Sequence, residues 1–204
     1  VLSSLFTTIT NANFDDESIA KSIDAVIAHR DALLAQHPLS DLSDAVSFHA
    51  ASRAEKEEKA AVVGYLSIED EDIRSLRITV ILGLKGIAAY GAHALHLGSF
   101  SDEVMSFVYE ALESTNNDNL TVDDLVALVL KTGEYGVKVM ALLDQANTGK
   151  YGHPEITEVN IGVRNRPAIL VSGHDLADLE QLLEQTAATG VDVYTHSEML
   201  PAHY

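Results

Sequence analysis

The sequence predicts a mainly α protein: a helical bundle followed by one βαβ unit that begins a doubly wound α/β domain. Three observations predict it. Helical periodicity runs almost unbroken to about Asn147, the turn-rich segment Gly149-Lys-Tyr-Gly-His-Pro154 then changes the composition, and two short apolar runs beyond it flank one amphipathic stretch. The expected domains are therefore residues 1–150, a helical bundle, and residues 151–204, a linker and the first βαβ unit of an incomplete α/β domain.

In the first helix Ile19, Ile23, Val26, Ile27, Ala28 and Leu33 recur at three- and four-residue steps, and Asp15-Asp-Glu-Ser supplies a cap and first-turn acids. It should end near Gln36 and Pro38. Residues 43–61 are helical by propensity but weakly amphipathic, so they are expected at the surface or partly irregular. Residues 69–97 read as one long helix, in which Gly83, Gly86, Ala89 and Gly91 make a small-residue surface. Glycine costs about 1 kcal/mol relative to alanine inside a helix, and close approach of a neighbouring helix is the expected compensation. Ser101 caps a helix running to Leu112, and Asn116-Asn-Asp-Asn breaks it. Thr121 caps the next, with Asp123 and Asp124 in its first turn and Leu125, Leu128, Val129, Val137, Met140 and Leu143 along its apolar face. Short loops make these five helices an antiparallel bundle.

Beyond the turn-rich segment, residues 167–172 suit a buried parallel strand. Residues 175–187 place Leu176, Leu179, Leu182 and Leu183 on one helical face with Asp175 as cap, Gly190 ends the helix, and residues 191–195 form a second strand. The result is one right-handed crossover unit. A two-stranded sheet cannot cover itself.

With 204 residues and 47% hydrophobic content, the chain can bury one sizeable core, or one core and part of a second. The 31 acidic residues against 13 basic ones leave a net charge of −18, which argues against nucleic acid, because neutralising phosphates needs clustered Lys and Arg. A solvated acidic surface is the plain reading of that charge. Without cysteine the chain has no disulfide, no thiol nucleophile and no thiolate-held cluster of its own. The most apolar region, residues 78–97, carries Lys85, two histidines and three glycines and reads as a buried helix rather than a membrane span. No signal-peptide pattern opens the chain, so a soluble, cytoplasmic protein without a membrane partner is expected. Its start, Val-Leu-Ser-Ser, suggests a processed product or a piece of something longer.

Ligands gather at the carboxyl ends of strands in open parallel sheets, and His174 and Glu198 both lie there. Neighbouring strands stand about 4.8 Å apart, so an imidazole nitrogen and a carboxylate oxygen can meet one ion, and iron and manganese accept that mixed set. The spacing fits equally a turn in which Asp175 caps a helix and His174 points to solvent. His196 and His203 flank Glu198 and permit a triad of two histidines and a carboxylate. His93 and His96 lie three apart on the long helix, but no glutamate stands three residues before either, and core or interface roles suit them better. Serine-hydrolase, Walker and dinucleotide-binding motifs are missing.

The segments Leu170-Val-Ser-Gly-His-Asp-Leu-x-Asp-Leu179, Leu182-Leu-Glu-Gln-Thr186, Thr189-Gly-Val-Asp-Val-Tyr-Thr-His196 and Glu198-Met-Leu-Pro-Ala-His203 resemble the hybrid-cluster proteins, or hydroxylamine reductases. Upstream, Thr148-Gly-Lys-Tyr-Gly-His-Pro154, Gly83-Leu-Lys-Gly-x-Ala-Ala-Tyr90 with His93-Ala94, and Phe6-Thr-Thr-Ile-Thr-Asn-x-Asn-Phe-Asp15 follow in the family's order, and the likeness is faintest over residues 36–69. The resemblance implies a three-domain enzyme that reduces hydroxylamine to ammonia and water, with nitric oxide reduction as a related activity. Its cofactors are an iron–sulfur–oxygen hybrid cluster and a second iron–sulfur cluster, fed by an electron-donating reductase. The carried-over cluster ligands are His174 and Glu198. The family's cysteines and second glutamate lie further along its chain, and the cysteines of its second cluster lie before the point matching Val1. Ser197 stands where the family pattern leads one to expect glycine. No catalytic set is complete in these 204 residues, and without thiolates the chain is expected to assemble neither cluster and to be inactive alone. Two competing readings are a cysteine-free scaffold or binding module with a single ion on His174, His196 and Glu198, and a helical interaction domain whose family-like ends are relics.

Overall fold

The structure is a computed structural model that describes residues 1–9, 13–40 and 42–204. Residues 10–12 of the Phe6 to Asp15 segment lie outside the described residues. The chain divides into two compact units, one of residues 1–92 and 101–140, the other of residues 93–100 and 141–204. Helices predominate, and a two-stranded parallel sheet lies near the carboxyl end.

In the first unit, a short helix α1 (Leu2–Phe6) precedes α2 (Asp16–Gln36), and Ser4 and Ser22 join them through their hydroxyls at 2.9 Å. Asp15 caps α2 as its sequence predicts, accepting from the Glu17 and Ser18 N–H groups. The propensity for helix over residues 43–61 is realised in two pieces, α3 (Asp44–Ser47) and α4 (Arg53–Val62). The interruption has a local cause. Ser52 Oγ accepts from Glu55 N–H while the Glu55 carboxylate accepts from Ala51 N–H, so a fresh N-terminus forms there, close to a capping box. Arg30 of α2 donates to the freed carbonyls of Ala45 and Phe48.

The core of this unit lies among α5 (Glu71–His96), α6 (Asp102–Ser114) and α7 (Val122–Tyr151). Val80, Leu84 and Ile87 from α5 meet Val104, Phe107, Val108 and Ala111 from α6 and Leu125, Leu128 and Val139 from α7. Each fully buried large apolar side chain contributes about 1.5–3 kcal/mol. Phe107 stacks on Tyr135 with ring centroids 4.0 Å apart. The caps are local: Asp70 accepts from the Asp72 and Ile73 N–H groups, Ser101 from Val104 N–H, and Thr121 and Asp124 bond each other reciprocally. Gly83 carries the close approach that the small-residue surface predicts, for a Cβ there would lie 2.6 Å from Thr132 Cγ2. Among the described residues α5 is the one helix long and apolar enough to cross a membrane, and its Val80, Leu84, Ile87 and Ala88 are buried against protein instead.

In the second unit, α7 runs on through Gly149 to Tyr151, beyond the end near Asn147 that periodicity suggests. Gly152, at φ +92°, is the residue that stops it. β1 (Ala168–Ser172) and β2 (Asp192–His196) pair in parallel, in the register Ala168 with Asp192 through Ser172 with His196. Between them α8 (Leu176–Thr186) is capped by Asp175 and buries Leu179. One expectation is corrected: β1 is not a buried strand, since Ile169 and Leu170 are exposed. Among the described residues its only ladder partner is β2, and two strands cannot shield each other's faces.

Candidate metal-binding site

The ladder pairing of Ser172 with His196 fixes the geometry at the carboxyl edge of the sheet, and His174 and Glu198 each lie two residues beyond that pair. Gly173, at φ +131°, makes the turn after β1 and is a position that disfavours any L side chain. Ser197 does the equivalent work after β2 at φ +55°, the left-handed region natural to glycine, before a short 3₁₀ turn over Ser197–His203. Met199 anchors that turn by full burial. The outcome is that His174 Nδ1 and Glu198 Oε2 stand 3.4 Å apart, with side chains 61% and 69% exposed.

Two further groups border the pair within the same unit. His93 donates from Nδ1 to Asp175 Oδ2 at 2.7 Å, and its ring meets that of His174 edge-on, with centroids 5.5 Å apart. Asp175 Oδ1 meanwhile accepts from the Ala177 and Asp178 N–H groups of α8. Partial burial works to raise the Asp175 carboxyl, but the Asp178 N–H, the His93 charge and the remaining hydrogen bonds outweigh it and hold the group below its ordinary range.

A cavity of about 650 Å³ opens beside the pair, lined by His174, Glu198, Leu179, Tyr151 and Glu180 among others. Tyr151 Oη donates to Glu180 Oε2 at 3.0 Å and Lys150 Nζ reaches the same oxygen at 2.5 Å. The Lys150 and Tyr151 hydrogen bonds draw the Glu180 carboxyl down, whereas burial pushes the Tyr151 phenol up.

The structure thus brings His174 and Glu198 together and leaves the larger set unassembled. Among the described residues no three His, Asp or Glu side chains converge as a metal site. The triad of His174, His196 and Glu198 is therefore not formed: His196 is the last residue of β2, on the strand rather than in the turns that carry the other two. His203 is engaged by its Nε2 with Thr195 Oγ1. The pairing of His93 with Asp175 escapes sequence reading, because the two are far apart in the chain and no local pattern joins them.

An imidazole and a carboxylate thus stand side by side at the carboxyl edge of a parallel strand pair, carried on a predominantly helical chain. The chain belongs to the Prismane/CO dehydrogenase family, which matches residues 1–204. It is 63% identical over 204 residues to the hydroxylamine reductase of Acetivibrio thermocellus, covering all of this chain and 38% of that protein. The hydroxylamine reductase of Desulfovibrio desulfuricans is 55% identical over 205 residues, with the same two shares. That of Clostridium tetani is 51% identical over 229 residues, covering 98% of this chain and 40% of the relative. The chain thus spans about two fifths of the length of these curated relatives.

Proposed function

We propose that these 204 residues are a stretch of a longer hydroxylamine reductase, in which His174 and Glu198 are ligands of an iron–sulfur–oxygen cluster. The observation that carries the reading is the 3.4 Å approach of His174 Nδ1 to Glu198 Oε2 at the sheet edge. The relatives' name supports the reaction, and the share of them that is matched supports a fragment. Residues 1–150 then belong to a helical domain and residues 151–204 open a second, α/β domain.

The donor set fits that role in part. Imidazole nitrogen and carboxylate oxygen both suit iron, and both side chains are open to an approaching group. Thiolates, which hold most of any iron–sulfur cluster, must come from outside these residues, since the chain has no cysteine. When bound, the cluster supplies redox-active iron with open positions for the substrate. This chain's part is to present one nitrogen and one oxygen donor from turns that the β1–β2 ladder holds in register.

The overall reaction is NH₂OH + 2 e⁻ + 2 H⁺ → NH₃ + H₂O, with electrons from a reductase partner and nitric oxide as a related substrate. The setting is the cytoplasm, without membrane or nucleic acid. The test is to read the gene on both sides of this stretch and purify the whole product anaerobically. Cysteine-bearing segments and hydroxylamine-dependent ammonia are expected. Losing an outer-shell partner of a metal ligand costs 10–100-fold, so His174→Ala or Glu198→Ala should lower the rate by about 100-fold or more. Stoichiometric cluster iron and sulfide in the 204-residue chain alone would overturn the fragment reading.

A further inference from the structure

We infer that His93 and Asp175 are a positioning pair for His174, a role that rests on the ligand reading above. The side chain that must present a nitrogen to iron is the least supported of the three. His174 is 61% exposed and follows a glycine at φ +131°, so the turn that carries it has little packing of its own. His93 and Asp175, by contrast, are only 19% and 23% exposed.

Asp175 follows His174 directly and is fixed at both carboxylate oxygens. Oδ1 takes the Ala177 and Asp178 N–H groups, which locks it to the start of α8, and Oδ2 takes His93 Nδ1. The last turn of α5, from His93 to His96, is thereby tied to the backbone that carries His174. The His93 ring supplies a second restraint, since its edge-on contact at 74° to the His174 ring gives that imidazole a wall on one side. Neither residue needs to touch metal. Together they set where the His174 ring stands, as outer-shell carboxylates and imidazoles do at other metal sites.

The 204-residue chain itself tests this with Co²⁺ as the probe, followed by its visible absorption and by NMR of the histidine rings. His174→Ala should abolish binding at the site. His93→Ala should raise the Co²⁺ dissociation constant about tenfold. In the metal-free chain it should also shift the His174 ring resonances and broaden their rotamer distribution, with helix content by circular dichroism unchanged. His93→Asn places an amide N–H near the position of Nδ1 and should restore affinity to within about threefold, a rescue that a general loss of folding would not give. If His174→Ala abolishes binding while His93→Ala changes neither the affinity nor the His174 resonances, the positioning role is overturned and the ligand reading survives. If Co²⁺ binding is indifferent to His174→Ala, the ligand reading fails and this inference falls with it.

Discussion

Gly83 and Thr132 meet so closely across α5 and α7 that a methyl group on Gly83 would lie 2.6 Å from Thr132 Cγ2. Thr132 cannot easily yield, because it is buried and its hydroxyl donates to the Leu128 carbonyl at 2.8 Å. Gly83→Ala should therefore destabilise the helical unit by about 1–3 kcal/mol through overpacking, although alanine is the better helix former by about 1 kcal/mol. Gly86 has open space at the same point and is the control: Gly86→Ala should stabilise by about 0.5–1 kcal/mol. Urea unfolding followed by circular dichroism measures both.

The two turns at the candidate site make opposite demands. Gly173→Ala puts a side chain on a backbone at φ +131° and should cost about 1–3 kcal/mol or displace His174 from Glu198, visible as a changed His174 ring resonance. Ser197 already holds a left-handed φ of +55°, which costs about 1–2 kcal/mol, while glycine's larger unfolded-state entropy costs about 0.5–1 kcal/mol. Ser197→Gly should gain about 0.5–1 kcal/mol on that difference. Slower amide exchange around Met199 is the expected sign.

Asp124 gives the start of α7 a pH dependence. Its carboxylate accepts from the Thr121 hydroxyl and N–H, and these bonds hold it below its ordinary value of 3.8. Because the folded value is lower than the unfolded one, the stabilisation is present in full above the ordinary carboxylate range. It is lost as pH falls from about 4 through the folded value. In thermal melts across that window, the Tm difference between wild type and Asp124→Asn should shrink towards zero.

Phe107 is the largest fully buried side chain of the helical core and stacks on Tyr135. Phe107→Ala should cost about 3–5 kcal/mol and expose the Tyr135 ring, which near-ultraviolet circular dichroism will register as a lost aromatic band.

The long helices, the crossover unit and the pair at its edge were legible because each leaves a local signature. Asp15, Ser101, Thr121 and Asp175 stand where their side chains cap, and the apolar period changes from helical to strand-like after the turn-rich segment. The break at Ser52 went unread, because helical propensity across residues 43–61 masks the capping pair of Ser52 and Glu55. Helix α1 is too short to show a period. The end of α7 misleads because Gly149 looks like a stop, yet one interior glycine costs only about 1 kcal/mol and a 30-residue helix absorbs it. The exposure of β1 depends on what pairs with it, and the His93–Asp175 link on how distant segments meet, neither of which a local pattern encodes.

The register of Ser172 against His196 implies an unequal tolerance to evolutionary change around the candidate site. Surface substitutions along β1 leave the two turns where they are, because ladder hydrogen bonds rather than side-chain packing set their offset. A one-residue insertion or deletion between Ser172 and His174, or between His196 and Glu198, breaks the matched two-residue advance and swings one donor away from the other. Length variation can be absorbed instead in the connection from Ala187 to Gly190, where the chain has already left α8 and Gly190 at φ +77° leads into β2.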